Sequence, residues 1–243
     1  MPNVLLLGGT TEASALAQAL AEAKIPATLS YMGRVERPKA QPVPVRIGGF
    51  GGVAGLRDYI RQHAVTHVVD ATHPFAAQMS TNAVNACADT GTPLIALTRP
   101  AWQPGPGDDW QRVADIPAAV AALAGSARHV MLAIGRMHIH EFAPQPQHRY
   151  LLRLVDEPKE TPPLPDHVVV VDRGPFSTQA DIALMRAHKI DLVVSKNAGG
   201  TGSVSKLEAA RALGLPVLMI DRPVLPPRHD VHAIAEVLTW LKA

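Results

Sequence analysis

Short, continuously apolar runs alternate with longer amphipathic segments along most of the chain. Uninterrupted runs rich in Val, Ile and Leu are typical of parallel strands that are covered on both faces. The segments between them carry apolar residues at helical spacing. The alternation predicts an α/β fold with two Rossmann-like, doubly wound parallel sheets. The predicted strands are Val4–Leu7, Ala27–Met32, Val43–Ile47, His67–Ala71, Leu94–Thr98, Val130–Ile134, Tyr150–Val155, Val168–Asp172, Asp191–Ser195 and Val217–Ile220.

Two of the amphipathic segments also carry helix start signals. Pro74 occupies the position that proline favours at the beginning of a helix, ahead of an apolar stripe that includes Met79. Residues 205–208, with the sequence Ser-Lys-Leu-Glu, match the capping-box pattern. The helix that begins at residues 205–208 is predicted to end at Gly214, since glycine is the residue that most often ends a helix.

The change in composition at residues 99–113, RPAWQPGPGDDWQRV, indicates a domain boundary. This stretch is rich in Pro, Gly and Asp and is expected to interrupt both helices and strands. We therefore predict an N-terminal domain over residues 1–100, a linker over 101–112 and a C-terminal domain over 113–243. A last predicted helix, around Val237, could pack on either domain.

The composition is that of an ordinary soluble globular protein, with 47% hydrophobic and 18% charged residues in 243. The formal net charge of +2 gives no indication of a nucleic-acid or membrane partner. No apolar run approaches the length of a transmembrane helix. The single cysteine, Cys87, excludes an internal disulfide and fits a reducing compartment, so a cytoplasmic location is expected.

Glycines and cations follow the predicted strands. In open parallel sheets, ligands bind beyond the carboxyl ends of the strands, where glycines allow close approach and helix starts attract anions. Because the cations would share one rim, we predict a site for one or two polyanions in the cleft between the domains. The cations are Arg34, Arg99, Arg136, Arg173, Lys196 and Arg222.

The cofactor prediction depends on the first two strand ends. A Gly-Gly-Thr-Thr turn at residues 8–11 can hold a phosphate at the start of the first helix. Its spacing departs from G-x-G-x-x-G, so the turn alone is equally compatible with an ordinary threonine cap. Arg34 follows the second strand, where NAD-binding proteins carry an acid, and an arginine there suits the 2′-phosphate of NADP. The alternative is a solvated surface arginine.

Other candidate residues are less specific. His73 follows a central strand and is a candidate general acid, although a cap or packing role is the more common one for such a histidine. His138 and His140 diverge if their segment is helical, so no metal site is predicted. The glycine-rich loop within residues 195–211 is a candidate second anion site. Trp102 could line a flat ligand or pack at the domain junction.

A set of segments in fixed order over nearly the whole chain resembles the precorrin-6A reductase (CobK/CbiJ) family of cobalamin biosynthesis. The segments are LLLGGTTEA, DATHPFA, RPAW, IGR, DRGPF, SKNAGGTGSVSKLEAA and LPVLMIDRP. The resemblance implies an oxidoreductase that uses NADPH to reduce one double bond of the precorrin-6A macrocycle, giving precorrin-6B. The substrate would be a tetrapyrrole-derived ring that carries many carboxylates.

The resemblance also implies roles for individual residues. His73 is the candidate proton donor, with water or a ring nitrogen as alternatives. The residues expected at the pyrophosphate and adenosine end of the cofactor are Gly8, Gly9, Thr10, Thr11, Glu12, Gly33 and Arg34. Those expected to border its nicotinamide half are Gly49, Phe50, Gly51, Thr72, His73, Pro74 and Phe75. Those expected at substrate carboxylates, or shared with cofactor phosphates, are Arg136, Arg173, Lys196, Asn197, Gly199, Gly200 and Arg222.

Three alternatives to this function remain open on the sequence. One is the cobalt-precorrin-6A reductase of the anaerobic branch, which would act on the metal-bound ring. Another is a non-enzymatic dinucleotide-binding sensor, which would not need the second set of cations. A pyrrole-ring methyltransferase has little support from the turn at residues 8–11. Neighbouring enzymes of the pathway are candidate partners, and no nucleic-acid or membrane partner is expected.

Overall fold

The computed structural model of the chain describes residues 1–32, 40–172, 174 and 176–243. The chain divides into two compact units. The first unit consists of residues 1–99 together with residues 224–243, and the second consists of residues 100–223. Each unit contains a six-stranded sheet, so the predicted α/β fold with two Rossmann-like sheets is confirmed.

The helices and strands follow one another in alternation. Up to residue 99 they are β1 (Val4–Leu7), α1 (Thr11–Glu22), β2 (Ala27–Tyr31), β3 (Val45–Ile47), α2 (Gly52–Gln62), β4 (His67–Asp70), α3 (Ala77–Thr90) and β5 (Leu94–Leu97). The second unit contains β6 (Trp110–Val113), α4 (Ile116–Ala122), β7 (His129–Ala133), a 3₁₀ helix (Arg136–Phe142), β8 (Arg149–Leu154), β9 (Asp166–Val171), α5 (Thr178–Ala187), β10 (Leu192–Lys196), α6 (Ser205–Leu213) and β11 (Val217–Ile220). The chain ends with β12 (His229–Val231) and α7 (Ile234–Trp240).

The first sheet has the strand order of a dinucleotide-binding fold. Its order is β3-β2-β1-β4-β5-β12, and every pair is parallel. The chain winds outward from β1 to β3, then returns to β4 on the other side of β1. This reversal opens a crevice beyond the carboxyl ends of β1 and β4, which is where such sheets bind ligands.

The second sheet repeats this arrangement with β7 in the place of β1. Its order is β9-β8-β7-β10-β11-β6, again with parallel pairs. The winding reverses between β7 and β10, so the corresponding crevice lies beyond the carboxyl ends of these two strands. The outer strand β6 comes from the beginning of the unit.

Helices cover both faces of the first sheet, as its continuously apolar strands require. Leu6 on β1 packs into one core cluster with Leu16 of α1 and Val237 of α7. The neighbouring Leu5 points to the opposite face and joins a second cluster with Leu56 of α2. Successive residues of β1 are thus buried against different helices, because side chains alternate across a strand.

The unit boundary differs from the predicted one at both ends of the second domain. Residues 224–243 belong to the first unit, because β12 pairs with β5 and Val237 is fully buried in the core that contains Leu16. The predicted linker contains most of β6, which pairs with β11 at the edge of the second sheet. Neither β12 nor β6 was predicted from the sequence, because neither is a continuous apolar run.

Two predicted helix starts differ from the structure. Helix α3 begins at Ala77, so Pro74 lies in the turn before it rather than at its first position. Helix α6 begins at Ser205 after Val204, and no side chain caps it. The Ser205 hydroxyl donates instead to Asp181 Oδ2 at 2.7 Å, so the predicted capping box does not form. Among the described residues, no helix has both the length and the hydropathy needed to cross a membrane.

Residues 224–243, the returning segment, contain two valines at which the same substitution should change stability by different amounts. Val237→Ala should lower the free energy of unfolding by about 2 kcal/mol, because two buried methyl groups are lost and a cavity remains. Val224→Ala should leave it within about 0.5 kcal/mol, because Val224 is 98% exposed. Urea unfolding followed by circular dichroism measures both, and equal effects would contradict the packing of α7 on this unit.

Candidate functional site

The turn after β1 leads into α1, whose first backbone N–H groups have no partner within the helix. The Thr10 hydroxyl accepts from the N–H of Ala13 at 3.1 Å and donates to the carbonyl of Ala71 at 2.7 Å. Gly9 has a φ of +125°, and a Cβ added there would meet no atom within 4 Å. An added Cβ at Gly8 would lie 2.5 Å from Leu29 Cδ1, so Gly8 is small for packing reasons. The start of α1 therefore has room for an anion such as a phosphate.

The other two residues of this turn make side-chain contacts of their own. The exposed Thr11 donates its hydroxyl to Glu12 at 3.1 Å. Glu12 also forms an ion pair with Arg99, with 3.7 Å between Oε1 and Nε. Of the predicted strand-end cations, Arg99 is thus held by an acid of its own unit.

The glycine loop after β3 is fixed by an arginine that was not predicted from the sequence. The Arg46 guanidinium donates to the Gly49 carbonyl at 2.8 Å, to the Gly48 carbonyl and to the Ser30 hydroxyl at 3.2 Å. It also lies 3.8 Å from the centre of the Phe50 ring. An arginine next to the end of a strand and directly before a glycine cluster was a signal that could have identified it.

A buried carboxylate organises the loop after β4. Asp70 is 3% exposed and accepts four hydrogen bonds. The Thr72 N–H and hydroxyl donate at 3.1 and 2.7 Å, the Ser80 hydroxyl at 2.6 Å and Arg228 Nη1 at 2.6 Å. Burial, and secondly the charge of Asp70, raise the pKa of the Cys87 thiol to about 12. Asp70, Ser80 and Arg228 were not predicted from the sequence, because they meet only in the folded chain.

His73 uses one ring nitrogen to hold this loop. Its Nδ1 accepts a hydrogen bond from the backbone N–H of Phe75 at 3.2 Å. Because a backbone N–H can only donate, Nδ1 carries no proton in this bond, and the proton of the neutral ring is on Nε2. The geometry is that of the cap role considered for His73, and any proton that it delivers would come from Nε2.

The structure brings the first and fourth strand ends of the first unit together, while the third lies further along the same edge. Residues 8–10 and 71–73 meet at the crevice between β1 and β4 through the Thr10–Ala71 hydrogen bond. The loop at residues 48–51 lies beyond β3, three strand positions from β4, which corresponds to roughly 14 Å. The predicted Gly33 and Arg34 lie outside the described residues.

In the second unit, Asn197 and Trp102 lock the loop after β10. The buried Asn197 side chain accepts from the Trp102 N–H at 2.8 Å and donates to the Trp102 carbonyl at 3.0 Å. The Trp102 indole N–H donates to the Gly200 carbonyl at 2.8 Å. Lys206, only 4% exposed, lies with Nζ 4.7 Å from the Trp102 ring and donates to the Ser203 carbonyl at 2.6 Å. Trp102 and Asn197 thus shape the loop that contains the predicted glycines.

Arg222 supports the backbone of the same loop. Its Nε donates to the Asn197 carbonyl at 3.0 Å, and its Nη2 donates to the Ala198 carbonyl at 3.2 Å. Gly199 has a φ of +69°, and an added Cβ would lie 2.2 Å from the Pro100 carbonyl oxygen. Gly199 is therefore small because the backbone of residue 100 and the Arg222 guanidinium lie against it.

The strand end after β7 is open to solvent. Gly135 has a φ of +75° with no atom within 4 Å of an added Cβ, and Arg136 is exposed at the start of the 3₁₀ helix. Lys196, at the end of the adjacent β10, is half-buried. Arg136 and Lys196 therefore follow the two strands that border the crevice of this sheet. The predicted Arg173 lies outside the described residues.

A second buried ion pair lies among β8, α5 and α6. Arg153 pairs with Asp181, with 6% and 2% of their side chains exposed, and Ser205 donates to the same carboxylate at 2.7 Å. The Arg153 guanidinium also lies 3.9 Å from the Phe176 ring centre. This pair was not identified from the sequence.

The family model described as precorrin-6x reductase CbiJ/CobK matches residues 3–242. The chain belongs to this family. The reductase family model therefore covers both units, which agrees with the ordered resemblance seen in the sequence.

Two relatives and one solved structure illustrate the similarity within this reductase family. A precorrin-6A reductase of Rhodobacter capsulatus is 55% identical over 99% of this chain and 96% of its own length. A cobalt-precorrin-6A reductase of Priestia megaterium is 33% identical over 90% of each chain. A solved structure described as CobK precorrin-6A reductase matches with a TM-score of 0.95 and 54% identity, over 100% of this chain and 97% of that chain.

A metal-ligand set was not predicted, and the described residues contain no group of three or more His, Cys, Asp and Glu side chains placed to hold a metal ion. His138 lies on the 3₁₀ helix, where its Nδ1 is 2.6 Å from Glu141 Oε1. His138 is thus bonded to a neighbour one helical turn away.

The loop after β10 predicts unequal effects of alanine at two glycines. Gly199→Ala should lower the free energy of unfolding by at least about 2 kcal/mol, because a Cβ would clash with a carbonyl oxygen and occupy a left-handed conformation. Gly202→Ala should be tolerated, since no atom lies within 4 Å of an added Cβ. Thermal unfolding of both variants checks this. A stable Gly199→Ala variant would show that the glycine is not required by packing.

Proposed function

We propose that this chain is an NADPH-dependent precorrin-6A reductase, which reduces one double bond of the macrocycle to give precorrin-6B. The observation that carries the proposal is the open glycine turn at the crevice of a dinucleotide-type sheet, in a chain of the precorrin-6x reductase family. The 55% identity to a precorrin-6A reductase, against 33% to a cobalt-precorrin-6A reductase, favours the metal-free substrate.

The first unit fits a dinucleotide. No atom lies within 4 Å of a Cβ added at Gly9, which supports a pyrophosphate site at the start of α1. We assign the pyrophosphate to residues 8–12, the adenosine end to residues 33–34 and the nicotinamide half to residues 72–75. Residues 49–51 were expected beside the nicotinamide half, but they follow β3, on the opposite side of β1 from β4, so we assign them to the adenosine end. Bound NADPH supplies the hydride. Arg46 would act indirectly, by holding the backbone of the loop after β3.

The second unit is proposed to hold the carboxylates of the substrate. Arg136 and Lys196 follow the two strands that border its crevice, and Arg173 follows β9. We assign these three cations to carboxylate binding. Four other predicted residues would act indirectly, by fixing the conformation of the loop after β10, because their described contacts hold this loop. They are Asn197, Gly199, Gly200 and Arg222.

The chain's main contribution to the reaction is proposed to be the positioning of two ligands. Holding reactants in an aligned geometry can supply about 7–11 kcal/mol of the barrier in favourable cases. The conjugated ring accepts the electron pair, so the protein has little new charge to stabilise. The cytoplasmic location and the neighbouring pathway enzymes as partners remain predictions.

The cofactor and the activity are tested together by steady-state turnover of precorrin-6A with NADPH and with NADH. We expect turnover with NADPH in the wild type, and a rise of about 10- to 100-fold in the KM for NADPH in Arg34→Ala, because a charged hydrogen bond to the 2′-phosphate is lost. The KM for NADH should not change. Arg57→Ala, which removes a half-buried arginine of α2 that contacts Asp58 and Asp89, serves as the control and should match the wild type.

The outcomes separate the alternatives. Equal losses for both cofactors in Arg34→Ala would remove the 2′-phosphate role. Binding of NADPH without loss of nicotinamide absorbance in the presence of precorrin-6A would favour the sensor. Turnover of cobalt-precorrin-6A but not of the metal-free ring would assign the chain to the cobalt branch.

His73 can be tested with a substitution that separates its two ring nitrogens. The side-chain oxygen of asparagine takes the place of Nδ1 and keeps the bond to Phe75, but no group replaces Nε2. We expect kcat of His73→Asn to stay within about threefold of the wild type, since the described bond is a loop contact, while His73→Ala raises the KM for NADPH. A fall in kcat of about 100-fold or more in His73→Asn would instead establish His73 as the proton donor.

A further inference from the structure

The chemistry of the groups around Asp70 determines which of them donates in each hydrogen bond. A carboxylate only accepts hydrogen bonds, and the Arg228 guanidinium that faces it at 2.6 Å only donates. The hydroxyls of Thr72 and Ser80 must therefore both direct their protons at Asp70, at 2.7 and 2.6 Å. A hydroxyl has one proton, so neither side chain has another hydrogen bond to donate.

Thr72 and Ser80 differ in their burial and in their distance from the crevice, and therefore in whether a ligand could contact them. Ser80 lies on α3 and is 3% exposed. Thr72 is half-buried in the loop that follows β4, at the crevice of the sheet. Its oxygen is 3.4 Å from the Ser80 oxygen, too long for a strong bond, so Ser80 does not use its accepting capacity. The Thr72 hydroxyl can thus offer only an acceptor to a ligand.

An acceptor of this kind selects the chemistry of its partner. Phosphates and carboxylates carry only acceptors at neutral pH and gain nothing from Thr72. An amide NH₂ group can donate to it. In dinucleotide-binding sheets the second half of the cofactor lies over the strands beyond the crevice, here on the side of β4 and β5.

We propose that Thr72 recognises the carboxamide of the nicotinamide ring by accepting a hydrogen bond from its NH₂ group, and that Asp70 and Arg228 are positioning residues that fix the hydroxyl in this role. The inference rests on the proposed use of NADPH. It goes beyond that function because it assigns one donor–acceptor contact and its direction, and because it gives Arg228, from the returning segment, a part in cofactor recognition.

The test compares NADP⁺ with its 3-acetylpyridine analogue, in which a methyl ketone replaces the carboxamide and removes the NH₂ donor. Binding of both is measured by calorimetry without substrate. We expect the wild type to prefer NADP⁺ by roughly three- to tenfold, the value of one neutral hydrogen bond. Thr72→Val should bind both with equal affinity, whereas Thr72→Ser should keep the preference.

Ser80→Ala is the matched control, because it also removes one hydroxyl bond to Asp70 but from a buried helix position. It should weaken both dinucleotides alike and keep the preference. An unchanged preference in Thr72→Val, or none in the wild type, overturns the assignment. If Thr72→Val does not fold, Thr72→Ala gives the same readout. Failure of the wild type to bind either dinucleotide overturns the proposed cofactor itself.

Discussion

Parallel pairing is the constraint on which the arrangement of both units depends. Every strand must be followed by a crossover to its parallel neighbour, so all strand ends of one sheet gather at one edge. The winding then reverses once in each sheet, beside β1 and beside β7, and leaves a crevice where two strand ends have no crossover above them. The glycines and hydroxyls of the candidate site lie along these edges because they belong to the loops that follow the strands.

Among the described residues, each unit also contains a buried ion pair that joins two separate elements. Asp70 with Arg228, and Asp181 with Arg153, leave at most a tenth of any of the four side chains exposed. Desolvation of two charges is costly, and here it is offset by the pairing and by a serine hydroxyl donated to each carboxylate. Removing one partner of such a pair costs about 3–5 kcal/mol, because the remaining charge stays buried.

The sequence is sufficient to predict the central strands of each sheet but not the outer strands. Central strands are buried on both faces, so their composition is continuously apolar and the pattern is visible. The outer strand β12 needs only Val231 in the core, and β6 lies in a segment rich in Pro and Gly, so neither resembles such a run. For the same reason the last twenty residues were included in the C-terminal domain, although the final helix was expected to pack on either domain.

The candidate site divides in a similar way. Glycine turns and strand-end cations can be read from local pattern, and the predicted turns after β1 and β4 do meet in space. The residues that hold these loops cannot be read in this way, since Asp70 and Arg228 are 158 positions apart and Asn197 and Trp102 are 95 apart. A local pattern contains no information about which distant side chain satisfies a buried carboxylate or amide.

The return of the chain to its first unit has a consequence for biosynthesis. Residues 100–223 form one contiguous block, so the sequence of this unit is complete before residues 224–243 are translated. The earlier unit must wait, one border strand short and with the Asp70 carboxylate still lacking its guanidinium, until the final stretch emerges. The half that is translated first is therefore the half that is completed last.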